Sequence, residues 1–95
     1  MSLHLPYLVD SVLNLRQSVA TQLCDADQLK LDYLLDLTVL KVIANRIETT
    51  QRSQALQILR ANSAQLAIWL DQTYPTLRLA MIEALTRVLL SLTVE

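Results

Sequence analysis

The sequence predicts an all-α protein, a small antiparallel bundle of four helices forming a single domain over residues 1–95. Three observations predict it. Glycine is absent from all 95 residues, so the tight hairpins that need Gly or Asn-Gly at positive φ lack their turn residues. The two prolines, Pro6 and Pro75, stand where helices can begin, because N–H groups of the first turn have no intrahelical partner. Apolar residues recur at spacings of three and four along most of the chain. The helices are placed at about 4–24, 27–48, 52–72 and 75–93, separated by "CDAD", "ETTQRS" and "QTYP".

The first helix is amphipathic. Leu5, Leu8, Val9, Val12, Leu15, Val19 and Leu23 share one face, and Asp10, Asn14, Gln17, Ser18 and Thr21 the other. Arg16 breaks the pattern by projecting near the centre of the apolar face. Either its stem packs and its guanidinium snorkels outward, or it forms an ion pair at a desolvated contact. An unpaired buried charge costs several kcal/mol, so the second case requires a carboxylate. Asp32 and Asp36 are the first candidates, ahead of Glu48 and Glu83.

At the next boundary, Asp25 with Gln28 has the form of a capping box, and Asp27 is a rival cap. The second helix contains "LKLDYLLDLTVLKVI", in which apolar side chains emerge on nearly every side. Leu29, Tyr33, Leu37, Leu40, Ala44 and Ile47 form one stripe; Leu31, Leu35 and Val42 form a second, roughly opposite. Asp32 and Asp36 separate the stripes along one flank. A four-helix domain has little left to cover a second stripe, so Leu31, Leu35 and Val42 are expected to meet a partner chain.

The main stripe also continues in phase through Gln51 into the third helix. An alternative architecture therefore has three helices, with a long central one from about 28 to 72. Against it stands the polar run Glu48–Gln54, which favours a connection. The third helix carries Ala55, Ile58, Leu59, Leu66, Trp69 and Leu70 on one side, with Asn62 in the middle of that side. A lone core asparagine can fix register and oligomer state; a rim position bonded to a nearby carbonyl is the alternative. Trp69 is read as a core or interface anchor whose indole N–H reaches a polar neighbour. In the fourth helix Leu77, Met81, Leu85, Val88, Leu89 and Leu92 form the main stripe, widened by Leu79, Ile82 and Leu90, which are further candidate interface residues. Glu83 and Arg87 are spaced to pair on a solvated face.

Composition limits function. Apolar residues make up 53% of the chain and charged residues 18%, below the roughly 25–35% charged surface that keeps a small domain soluble and unassociated. A chain this small buries only about 60–65% of its unfolded surface. Both points favour a homo-oligomer, a dimer first, or a subunit of a larger assembly. No stretch reaches the roughly 20 nearly uncharged residues of a membrane span. The N-terminal residues lack the basic-then-apolar pattern of a secretory leader. A single cysteine, Cys24, forms no internal disulfide and is expected simply to pack; a cytoplasmic location follows.

No catalytic residue, cofactor or metal site is expected. His4 is the only histidine, whereas metal sites need several converging ligands. Without glycine there is no phosphate loop or dinucleotide fingerprint. Asp32 and Asp36 lie one turn apart, a spacing open to acid–base work, but a solvated or arginine-paired flank is the plainer reading. The expected function is thus a non-enzymatic interaction or oligomerisation module. Two alternatives stand beside it. A helical nucleic-acid-binding regulator would need a basic recognition helix, to which only Arg52 with Arg60, or Arg78 with Arg87, come near. A bundle holding a lipid-like ligand would use its aliphatic interior or a groove.

Overall fold

The computed structural model describes residues 5–45 and 48–94. His4, Arg46 and Ile47 lie outside them. Among the described residues the chain is all-α, with five helices: α1 (Leu5–Val19), α2 (Asp25–Leu35), α3 (Leu37–Asn45), α4 (Thr49–Thr73) and α5 (Pro75–Val94), plus a 3-10 turn at Ala20–Gln22. The all-α class is as expected; the number of helices is not.

Helix α1 buries Leu5, Val9, Val12 and Val19 along the predicted stripe. It ends five residues before its expected terminus at about 24, where the 3-10 turn leads to an extended Leu23 at φ −118°, ψ 142°. Leu23 remains buried in the core. The expected capping box at Asp25 does not form. Cys24 holds the N-cap position of α2 without a side-chain bond, and Gln28 instead donates from Nε2 to the Leu23 carbonyl at 3.2 Å. Asp25 and Asp27 stand within the first turn, where negative charge complements the helix dipole.

The predicted second helix is two helices, and this resolves its two stripes. Asp36 sits between α2 and α3 in the left-handed region, φ 55°, ψ 68°. Its N–H is shared between the carbonyls of Asp32 and Tyr33, at 3.1 and 3.2 Å, which closes α2. Its own carbonyl accepts Leu40 N–H at 3.0 Å, and its carboxylate accepts Val39 N–H at 3.2 Å, which opens α3 as an N-cap would. Before the bend the buried residues are Leu31, Leu34 and Leu35; after it they are Leu40 and Ile43. At 100° per residue, an unbroken helix would hold these two groups about 150° apart. The left-handed residue re-aims the backbone so that both face one core.

Two expectations fall with this. Leu31 and Leu35, read as partner-facing, are fully buried within the chain, while Leu29 and Tyr33, read as the main stripe, are 70% and 76% exposed. The second stripe of α2 therefore needs no partner chain to cover it. The long central helix is excluded as well, interrupted at Asp36 and again at Glu48, whose backbone is extended at φ −82°, ψ 155°. The polar run expected to be a connection instead forms the first two turns of α4. A helix needs only one packed face, and Ala55 and Leu59 supply it immediately downstream.

Helix α1 packs against α3 and α5, and α4 packs against α5 and α2. The bend at Asp36 thus carries the chain from the α4 side of the bundle to the α1 side. At 1.5 Å per residue α4 is about 37 Å long, matching the 36 Å long axis of the molecule. One residue, Tyr74, joins α4 to α5. Its N–H caps α4 on the Leu70 carbonyl at 2.7 Å, and Pro75 opens α5, where its missing N–H costs nothing. The inner face of α5 carries Met81, Ala84, Leu85, Val88 and Leu92 into the core.

Asp36 makes two demands on its residue type, a tolerated positive φ and a capping carboxyl. Asp36→Asn, which meets both, is expected to leave stability within about 0.5 kcal/mol. Asp36→Ala loses the cap and places a β-carbon in the left-handed region, costing about 1–3 kcal/mol, and Asp36→Val costs more. Urea midpoints check the series; an Asp36→Ala midpoint equal to wild type would contradict the dual role.

Candidate interaction groove

The bend also opens a surface trough. Because α2 rests on α4 while α3 turns toward α1, a trough opens between α2–α3 and α4. Its larger part is a cleft of about 380 Å³, walled by Asp32, Tyr33, Asp36, Leu37, Ile58 and Asn62. A shallower part of about 160 Å³ continues beside Val39, Val42, Gln51, Gln54 and Ala55. Thr38 and Ile58 line both, so the two are one continuous trough. The shallow part is mainly apolar, whereas in the larger cleft Leu37 and Ile58 stand among polar groups; one end carries two carboxylates and the other glutamine amides.

At the acidic end Arg16 forms an ion pair, one of the two arrangements its sequence position allowed. Arg16 Nε donates to Asp32 Oδ1 at 2.5 Å and Nη2 to Asp32 Oδ2 at 2.9 Å. This two-pronged geometry clamps α1 to α2. The side chains are 18% and 26% exposed, so the pair is shielded but not fully desolvated. Its hydrogen bonds raise the Arg16 guanidinium above its ordinary pKa, against the opposing effect of burial. Asp36, the alternative partner, is used by the backbone of α3. Asp32 and Asp36 are thus a clamp and a cap, the roles that stand against acid–base work.

Asn62 is half-buried on the trough wall, at the rim and not in the core. Val42, of the expected interface, lines the shallow part and is largely exposed. Trp69 is half-buried against the core. Lys30 Nζ stands 5.4 Å from its ring centroid, and Tyr74 meets it edge-on with centroids 5.8 Å apart. Trp69 is therefore an anchor between α2 and the α4–α5 turn, at some remove from the trough. Tyr74, half-buried and missed by the sequence reading, donates its hydroxyl to Asp27. That hydrogen bond first, then burial and the carboxylate's charge, push the tyrosine pKa up to about 12. The available clue was the position of Tyr74 before Pro75, where the α region is disfavoured and a helix tends to end.

Of the other expected interface residues, Leu79 and Leu90 are exposed and Ile82 is half-buried, all on α5 and away from the trough. Cys24, expected to pack, is exposed. Arg60, Arg78 and Arg87 are exposed and Arg52 is half-buried. Among the described residues no group of three His, Cys, Asp or Glu side chains is placed to hold a metal ion, and no helix is long and apolar enough to cross a membrane. Compared with family models, curated proteins and solved structures, the chain shows no significant match in any of the three.

Two measurements test the clasps around α2. In a double-mutant cycle on Arg16→Met and Asp32→Leu, each single change should cost about 1–3 kcal/mol and the pair should couple by at least about 1 kcal/mol. Additivity within about 0.3–0.5 kcal/mol would mean that the clamp contributes nothing. For Tyr74 the folded pKa lies above the unfolded value of about 10, so its contribution is complete below pH 10 and is lost as pH rises toward 12. Wild type should lose stability across that window, and Tyr74→Phe should lose visibly less. Parallel pH curves for the two proteins would rule this out.

Proposed function

We propose that this protein is a non-enzymatic interaction module whose trough receives an amphipathic helix from a partner protein. The observation that carries the reading is Tyr33, 76% exposed, beside Leu37 and Ile58 in a cleft that continues into a mainly apolar trough. An aromatic ring beside an apolar groove is the arrangement from which helix-in-groove recognition draws most of its affinity. From Gln51 to Asn62 the α4 wall is about 17 Å long, which suits about three turns of bound helix.

Charge selects the occupant. Asp36, which uses one carboxylate oxygen for the Val39 N–H, lines the trough beside Asp32, whose own charge is paired with Arg16. A complementary helix therefore presents leucine-like anchors at i, i+3, i+4 and i+7 and a lysine or arginine at the end that meets Asp36. Burial of the anchors supplies the driving force, and the basic residue sets the direction of the bound helix. A lipid-like occupant is less well suited, because two carboxylates and Asn62 would lose solvent against an alkyl chain. The spread of exposed arginines over α4 and α5 gives no compact basic face of the kind a nucleic-acid reader needs.

A synthetic amphipathic helix of about fourteen residues, with leucine anchors and a terminal lysine, is the probe. In ¹⁵N–¹H spectra of the full chain, its addition should shift the amides of Thr38, Val42, Ile58 and Asn62 together. Tyr33→Ala should weaken binding about fivefold to thirtyfold, and Val42→Asp should do the same with the fold intact. An absence of shifts at millimolar peptide, or shifts indifferent to both substitutions, would refute the reading.

A further inference from the structure

We infer that the outer face of α5 pairs antiparallel with the same face of a second copy, across a two-fold axis near Thr86. The inference is independent of the trough, which lies on the other side of α4. Opposite the buried side of α5, the helical repeat of 100° per residue brings Leu79, Ile82, Thr86, Leu90 and Thr93 to one outward face. Leu79 is 71% and Leu90 58% exposed, so among the described residues no element covers them.

The polar members of this face are already satisfied. Thr86 Oγ1 donates to the Ile82 carbonyl at 2.7 Å, and Thr93 Oγ1 to the Leu90 carbonyl at 2.8 Å. Both hydroxyls are turned back onto their own helix, so covering the face orphans no side-chain donor. A face of leucine, isoleucine and internally bonded threonine can be dried at little cost.

Charge names the occupant and its direction. Glu83 and Arg87 lie on one flank of the face, 3.7 Å apart, each 60% exposed. Two copies related by a two-fold axis and running antiparallel place each Glu83 across from the second copy's Arg87. The same operation sets Ile82 against the second copy's Leu90 and Thr86 against itself. Parallel pairing would put the two copies' Glu83–Arg87 pairs on opposite flanks of the seam, where they do not meet. The face is thus complementary to itself in one orientation, as an isologous interface requires. The trough has no such property, since its one basic neighbour, Arg16, is already paired with Asp32 and leaves Asp36 as the acid facing an occupant. One helix seam about 30 Å long lies at the small end of specific interfaces, so the dimer should dissociate in the range of about 10 µM to 1 mM.

Sedimentation equilibrium of the full chain from about 20 µM to 2 mM tests this. The apparent mass should rise from 10.7 kDa toward twice that value. Leu90→Asp should keep the chain monomeric with unchanged helicity by circular dichroism; if it disturbs the fold, Leu79→Asp, more exposed still, replaces it. Glu83→Arg alone and Arg87→Glu alone should each weaken association at least tenfold, and an equimolar mixture of the two should restore it. Tyr33→Ala, which alters the trough, should leave association unchanged. The inference is overturned if wild type stays monomeric to 2 mM, or if a folded Leu90→Asp or Leu79→Asp chain associates as wild type does. It is also overturned if the mixture associates no better than its components, or if Tyr33→Ala abolishes association, which would place the contact in the trough.

Discussion

Asp36 ends one helix and begins the next with a single left-handed residue, and the packing of the bundle depends on that change of direction. A left-handed β-carbon costs about 1–2 kcal/mol for most residues, and glycine is the usual remedy. This chain has no glycine and uses aspartate, whose short side chain tolerates the conformation and caps the following helix. Through it α2 reaches α4, α3 reaches α1, and two leucine-rich segments aimed in different directions share one core. The trough is a by-product of the same geometry, because helices that diverge from a common bend leave a gap between them.

Helix α2 shows how a short element is held when its buried area is small. Three leucines face the core from its eleven residues. Two polar clasps add to them at opposite ends: Arg16 reaches from α1 to Asp32, and Tyr74 reaches from the α4–α5 turn to Asp27. Lys30 over Trp69 adds a third link to α4. Because each clasp joins α2 to a different neighbour, together they fix its rotation as well as its position. That rotation in turn leaves Leu29 and Tyr33 pointing outward.

Much of this was legible in the sequence, and the exceptions share one cause. The stripe of α1 and the start of α5 at Pro75 follow from spacing along unbroken helices, whereas the choice between snorkelling and an ion pair for Arg16, and between Asp32 and Asp36 as its partner, did not. Periodicity measures angle only while the helix continues, so one positive φ resets the count. The two stripes of "LKLDYLLDLTVLKVI" were the signal of that reset, read instead as one helix covered on both sides. "DLTV" held a second clue, an aspartate three residues before the N–H it caps. The polar run before Ala55 misled for a different reason. Composition argued for a loop, whereas a helix already anchored downstream extends through polar residues at little cost. Of the proposed contact residues, those on α5 could be placed outside because no bend intervenes, while Leu31 and Leu35 could not be separated from the core by pattern alone.

The single-residue link at Tyr74 bears on how the chain finds this structure. Bringing two helices together normally loses entropy in proportion to the logarithm of the loop between them, and here that loop is nearly nil. Helices α4 and α5 meet through contacts that begin close in sequence and spread outward from the turn, which favours early formation of the hairpin. The remaining helices then have a template: α1 docks on α5, and α2 on α4. Left for last is α3, which reaches its place on α1 only after Asp36 has adopted its left-handed turn.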